Sequence, residues 1–193
     1  NSRASTGVRG IRLNGDDMVV SMSVIRHFEA TPEERAAYLK MRRAMAGLTD
    51  EDAGDEDVPA DPNFSQERYE EMAAVENLIL TITRGGSGKL SSSHDYPLRG
   101  RGGMGVAAMD KAMRGGQVVA SFPVELVDQI MLVTSTGQSI RCPIDGISFR
   151  SRNAGGVRVF NTSRDEQVVS VAYIPDQGDA EETPEERVSK IDS

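Results

Sequence analysis

Seven cations stand at recurring places in this 193-residue chain. Arg3, Arg101 and Arg152 each open the pattern Arg-x-x-x-Gly-Val, and Arg99 and Arg150 lie two residues ahead of its last two copies. Lys89 and Arg141 follow the glycine turns that precede those two copies. Cations repeated at one structural position suit a ligand whose own charge repeats, and duplex nucleic acid presents a charge about every 1.7 Å of axis. Gly102 and Gly103, beside Arg101, would let backbone N–H groups approach phosphates closely. A lone arginine is most often a solvated surface charge or a hydrogen bonder to backbone. Recurrence at one repeat position favours a basic track along one rim instead. Arg9, Arg12 and Arg158 alternate along strands and are weaker candidates. No base-reading element is evident, so recognition falls to backbone and bendability.

Other reactive side chains do not assemble into a catalytic set. His27 and His94 are 67 residues apart and lack a metal-ligand pattern. Gly85-Gly86-Ser87-Gly88-Lys89 has neither the spacing of a phosphate loop nor a following Ser or Thr, since Leu90 comes next; a hairpin turn accounts for it better. Cys142 is the only cysteine, which excludes an internal disulfide and a cysteine-rich zinc site. No catalytic, cofactor or metal residue is expected in this chain.

The elements that must position the cations come as a repeat of about 50 residues. Gly105 and Gly156 lie 51 apart; Gly7 and Gly105 lie 98 apart, one period plus about 47 residues. Each Arg-x-x-x-Gly-Val copy leads to a Val-Val strand: Met18–Met22, Gln117–Ser121 and Gln167–Val171. The other half of the unit repeats as Asn77–Thr83 and Gln129–Ser135, each ending at a glycine turn. About four short β-branched strands per unit, punctuated by glycine, predict propeller-like blades in an all-β fold. Only 5% of the residues are aromatic and Trp is absent, which agrees with many short strands. Two and a half units are few for an array whose members bury their faces on neighbours, so a longer array is expected.

Charge is segregated. The formal net charge is −8, but residues 27–77 carry 14 acids against 5 bases and residues 175–193 carry 7 against 2. The remainder holds 15 bases against 9 acids, so the repeat itself is basic. Thr31-Pro32-Glu33-Glu34 predicts a helix running to about Met45, with Tyr38, Met41 and Met45 on one stripe and Gly47 ending it. Asn63 to Gln66 reads as the start of a second helix through about Val75. This acidic helical hairpin at about 27–77 interrupts a partial β domain spanning 1–174. It is a tolerated excursion, an element that competes with DNA, or a contact for another protein chain. The tail 175–193 is acidic and expected to be disordered, as a DNA mimic or a solubilising segment. No apolar run approaches 18 residues and no signal-peptide pattern opens the chain, so a cytoplasmic protein is the default.

Several segments resemble the C-terminal DNA-wrapping domain of the DNA gyrase A subunit. They are Ser5–Leu13 with Asp17–Met22, Leu80–Thr83 with Gly86-Ser87-Gly88-Lys89, Arg101–Val106, Gln129–Met131, and Gly137–Arg141 with Arg152–Val157, about 120 residues in the family's order. The resemblance implies a β-pinwheel that wraps duplex DNA on its rim and supports ATP-driven negative supercoiling. It also implies a parent isomerase that contains gyrase B subunits, together with a second copy of the A subunit. That enzyme would use ATP and Mg outside this fragment, in the cytoplasm at the nucleoid. The strand-cleaving tyrosine of such an enzyme belongs to its N-terminal domain. The family's Gln-Arg-Arg-Gly-Gly-x-Gly box is matched only in part by Arg99-Gly100-Arg101-Gly102-Gly103-Met104-Gly105, which reads as the corner of a later blade with the box upstream. The similar C-terminal domain of topoisomerase IV, or a propeller scaffold that binds proteins, are the alternatives.

Overall fold

The computed structural model describes residues 3–48, 58–110 and 115–176. Its strands are β1 (Leu78–Thr83), β2 (Ser87–Ser92), β3 (Val118–Val124), β4 (Gln129–Thr134), β5 (Ser139–Pro143), β6 (Val157–Arg158) and β7 (Val168–Ile174). They form two antiparallel sheets, ordered β3-β1-β2-β6 and β5-β4-β7. The repeat seen in the sequence is thus a repeat of pairing. In each unit a hairpin is joined on its first strand by the Val-Val strand that follows the arginine corner. The same irregularity recurs as well, between Ile82 and Thr83 in one blade and between Val133 and Thr134 in the other.

Alternation along the strands supplies the core. Leu78, Leu80 and Ile82 of β1 and Leu90 of β2 pack with Ile130, Leu132, Ile144 and Val168 of the second blade. Burying such a side chain contributes roughly 1.5–3 kcal/mol, and the larger of the two buried clusters lies at this seam. β6 comes from the second unit yet pairs with β2 of the first, at Ser87↔Arg158 and Gly88↔Val157. Gly88 and Gly156 make this approach possible. A Cβ on Gly156 would lie 3.0 Å from the backbone N and O of Gly88, and one on Gly88 would collide with the Ile82 side chain.

The strand expected at Met18–Met22 does not form. In both blades the Val-Val strand pairs with the first strand of a hairpin, and among the described residues no strand pairs with Met18–Met22. The segment instead lies exposed, with Met22 at 87%, and donates from the Ser21 hydroxyl to the Ser121 carbonyl at 2.8 Å.

Between residues 27 and 77 stand two helices, α1 (Pro32–Met45) and α2 (Gln66–Ala74). α1 starts as its sequence dictates, with a complete Thr31/Glu34 capping box and Pro at the first turn. α2 is capped by Ser65, two residues later than the Asn63 start expected, while Asn63 N–H donates to Asp61. The apolar stripe of α1 also shifts: Tyr38 and Leu39 are buried and Met45 is exposed, while Arg43 is buried. The acidic 50–57 loop and the tail beyond Asp176 lie outside the described residues.

Glu166 closes the turn before β7. Its carboxylate accepts from Thr134 Oγ1 and Thr136 Oγ1, each at 2.5 Å, and from Ser163 N–H at 3.0 Å. Led by the Ser163 N–H bond, these donors hold its pKa down at about 2, below the ordinary 4.5. A carboxylate depressed on folding stabilises fully above its unfolded pKa and loses that effect as pH falls through its folded one. Thermal unfolding should therefore show a constant advantage of the wild type over Glu166→Gln above about pH 5, shrinking between about pH 4.5 and 2. A pH-independent difference would show that charge plays no part.

Candidate nucleic-acid interface

The seven cations separate into three environments. Arg3, Arg99, Arg101 and Arg141 are exposed. Arg99 and Arg101 flank a glycine-rich corner in which Gly102 and Gly105 both take a positive φ of 76°. This corner touches the rest of the chain lightly, through Gly102 N–H to the Gly10 carbonyl and Arg12 N–H to the Gly103 carbonyl, both 2.8 Å. Arg141 projects from β5 and donates through Nε to Gln129 Oε1 at 2.5 Å.

Arg150 and Arg152, at the equivalent corner of the next unit, are only half exposed. That corner is docked on β2. The chain meets β2 at Leu90, where Leu90 N–H donates to the Ser148 carbonyl and Arg150 N–H to the Leu90 carbonyl, and it returns as β6. Arg152 is engaged on every side: its N–H donates to Asp95 Oδ2 at 2.6 Å, its Nε to the Asp95 carbonyl at 2.9 Å, and its Nη1 to the Ala107 carbonyl. It ties one blade's corner to the exit of the preceding hairpin, the blade-to-blade role that a lone arginine would suggest. One period after Asp95 the residue is Gly146, so the acceptor of this tie does not recur with the repeat.

Lys89 departs furthest from the sequence reading. It is fully buried, and its Nζ donates to the carbonyls of Ser151, Arg152 and Ala154 at 2.5–2.7 Å. Burial pushes its pKa down to about 7, opposed by Asp95 and assisted by Arg152 and Arg150. Its amino group therefore organises the corner from inside and is not offered to a ligand at the rim.

The insertion meets this region directly. His94, buried in a 3-10 turn at Ser93–Asp95, shares a hydrogen bond between Nε2 and the Met72 carbonyl at 2.9 Å. It packs edge-on against Tyr38 and Phe28, with ring centroids 4.9 and 6.0 Å apart. Burial lowers its pKa, the Met72 carbonyl and Glu76 raise it, and Arg35 lowers it further. Arg42 of α1 lies over the Phe149 ring at 4.8 Å and pairs with Glu76 at 3.2 Å. The hairpin thus reaches both the exit of the first blade's hairpin and the segment leading into the second blade's corner. No pattern in the sequence marked these contacts. His94 carried only the absence of a metal spacing, and a docking role for a histidine emerges from packing alone. Among the described residues, no group of His, Cys, Asp and Glu could hold a metal ion.

The two blades, of which the second lends β6 to the first at an arginine corner, fall within the residues that a family model matches. The model of the DNA gyrase C-terminal domain, a β-propeller, matches residues 1–26, 77–125 and 128–175. The chain belongs to the DNA gyrase C-terminal domain family. The matched segments leave residues 27–76, which hold both helices, between them. Among curated relatives, the DNA gyrase A subunit of Granulibacter bethesdensis is 45% identical over 88% of this chain and 19% of its own length. The DNA gyrase A subunit of Rickettsia bellii is 39% identical over 96% of the chain and 20% of its own length. The chain therefore spans about a fifth of these gyrase proteins. Among solved structures, a DNA gyrase A C-terminal domain aligns with a TM-score of 0.48 at 24% identity, over 51% of this chain and 34% of that one. A C-terminal domain of DNA topoisomerase IV aligns with a TM-score of 0.47 at 20% identity, over 60% and 34%. Among the described residues no helix is long and apolar enough to cross a membrane.

Proposed function

We propose that this chain is the C-terminal DNA-wrapping region of a DNA gyrase A subunit, bending duplex DNA around a basic rim so that the assembled enzyme can introduce negative supercoils. One observation carries the reading: the family match falls on the repeat that leaves the Arg99–Gly105 corner exposed, with two guanidinium groups among glycines. Such a corner offers charge and accessible backbone together, the two means by which proteins hold phosphates without reading bases. Arg3 and Arg141 extend the exposed set, Arg150 and Arg152 shape the neighbouring corner, and Lys89 supports it from within. Gyrase is favoured over topoisomerase IV because the family description and the curated relatives cited above are gyrase.

In the whole enzyme the partners are duplex DNA, the gyrase B subunits, and a second copy of the A subunit. ATP and Mg serve chemistry in parts of the enzyme other than this region, and the place of action is the bacterial cytoplasm at the nucleoid. The test is binding of this chain to long duplexes at several salt concentrations. Each phosphate contact removed by an Arg→Ala change lowers the slope of log affinity against log salt by about 0.9. Arg99→Ala and Arg101→Ala should each do so, and Arg99→Glu with Arg101→Glu should weaken binding at every duplex sequence alike. Binding unchanged after those reversals would replace the wrapping role with that of a protein-binding propeller.

A further inference from the structure

Two adjoining cavities of 220 and 280 Å³ run along the seam between the inserted hairpin and the segment that leaves β2. They share Arg35, His94, Pro97 and Arg99 in their walls. Arg26 lines the first and Arg152 the second, so four guanidinium-bearing residues border the seam. Among the described residues the one carboxylate in the two walls is Asp95, and it is already occupied by the Arg152 N–H and guanidinium. Glu34 accepts from Arg68 and from Thr31 N–H, and Glu76 pairs with Arg42. Among the described residues, an insertion that is acidic by composition presents a basic edge at the point where it meets the rim. Arg26 and Arg99 have no hydrogen bond or ion pair among the described residues, so both guanidinium groups are available to a ligand.

We infer that this seam is a second phosphate-binding groove, in which the inserted hairpin continues the rim of Arg99 and Arg101 and holds the DNA backbone beside the corner. The inference rests on the wrapping role proposed above and adds to it. The hairpin becomes a DNA contact, where its composition alone suggested a competitor. Arg26 supplies charge from the segment entering the hairpin, and Arg99 supplies it from the corner. Arg35 donates to the Ala30 and Phe28 carbonyls, which holds the entry of the hairpin in place beside them.

The experiment uses the intact chain with a long duplex and two readouts. Arg26→Ala should lower the salt slope by about 0.9, so that affinity falls about 3-fold less between about 50 and 200 mM salt than in the wild type. A p-benzoyl-phenylalanine in place of Leu98, an exposed residue of the first cavity, should crosslink to DNA under illumination. The same group in place of Val127, exposed and outside both cavities, should not. If Arg101→Ala lowers the slope and Arg26→Ala leaves it unchanged, the groove is overturned and the wrapping role stands. If neither variant changes it, both fall. A Leu98 crosslink to the chain's own acidic residues 179–186 in place of DNA also overturns the groove.

Discussion

Lys89→Met is expected to destabilise the chain by about 3 kcal/mol at neutral pH. Methionine keeps the length of the side chain but offers no donor to the carbonyls of Ser151, Arg152 and Ala154, which converge on Nζ in the wild type. Leaving buried acceptors without partners costs roughly 1–3 kcal/mol for each group that water cannot reach. Because those carbonyls belong to the corner of one blade while Lys89 belongs to the hairpin of the other, the loss falls on the junction. Denaturant titration measures it directly, and a change below about 1 kcal/mol would mean that β6 and the Arg152–Asp95 tie hold the corner without help. The pH dependence carries a sign. A lysine held at about 7 instead of 10.5 releases its proton on folding throughout that window. The stability it confers is complete above about 10.5 and diminishes as pH falls through about 7. The wild type's advantage over Lys89→Met should accordingly be larger at about pH 9 than at about pH 7. The reverse order would show that the third N–H of the ammonium outweighs the cost of burying its charge.

Lys89 also shows where the sequence was legible and where it was not. The repeat, its period and its hairpins could be read from glycine turns and Val-Val pairs, since these residues act locally. Placing Lys89 and Arg141 on one track required the register, and the register separates them. Thr81 pairs with Lys89 and Met131 with Arg141, so one period of 51 sets Lys89 against Ile140 and Arg141 against Leu90. A one-residue offset on a strand changes the face to which a side chain points. The register is only part of the reason: β2 lies inside its sheet, with Lys89 and Leu90 both buried, whereas β5 is an edge strand with Ile140 and Arg141 both exposed, although both cations follow glycine turns. Arg101 and Arg152 differ for another reason: the corner of the second has β2 beneath it and Asp95 of the preceding hairpin within reach. The helix start at Thr31 was legible because a cap is written in four consecutive residues. The burial of Arg43 and the exposure of Met45 were not, since they depend on what packs against α1.

Tyr38→Ala should have the second large effect, and it decides what the insertion is. Tyr38 has no exposed surface, stacks on Tyr69 at 4.9 Å and meets His94 edge-on at the same distance. With Leu39, Tyr69 and Met72 it forms a core separate from that of the blades, flanked by Phe28 and Phe64. Removing a buried aromatic ring costs about 3–5 kcal/mol, which such a small core cannot absorb. Amide hydrogen exchange should therefore show α1 and α2 losing protection while β1 and β4 keep theirs. The informative amides are those of the 3-10 turn and the Leu90–Arg150 contact. Since His94 links that turn to Tyr38 and Met72, and Arg42 of α1 covers Phe149, both places should exchange faster in the variant. If they remain protected, the hairpin is an excursion that the blades tolerate. If they open with it, the hairpin braces the junction between the blades, and the direction in which the two arginine corners face depends on a segment that the family's repeat does not contain.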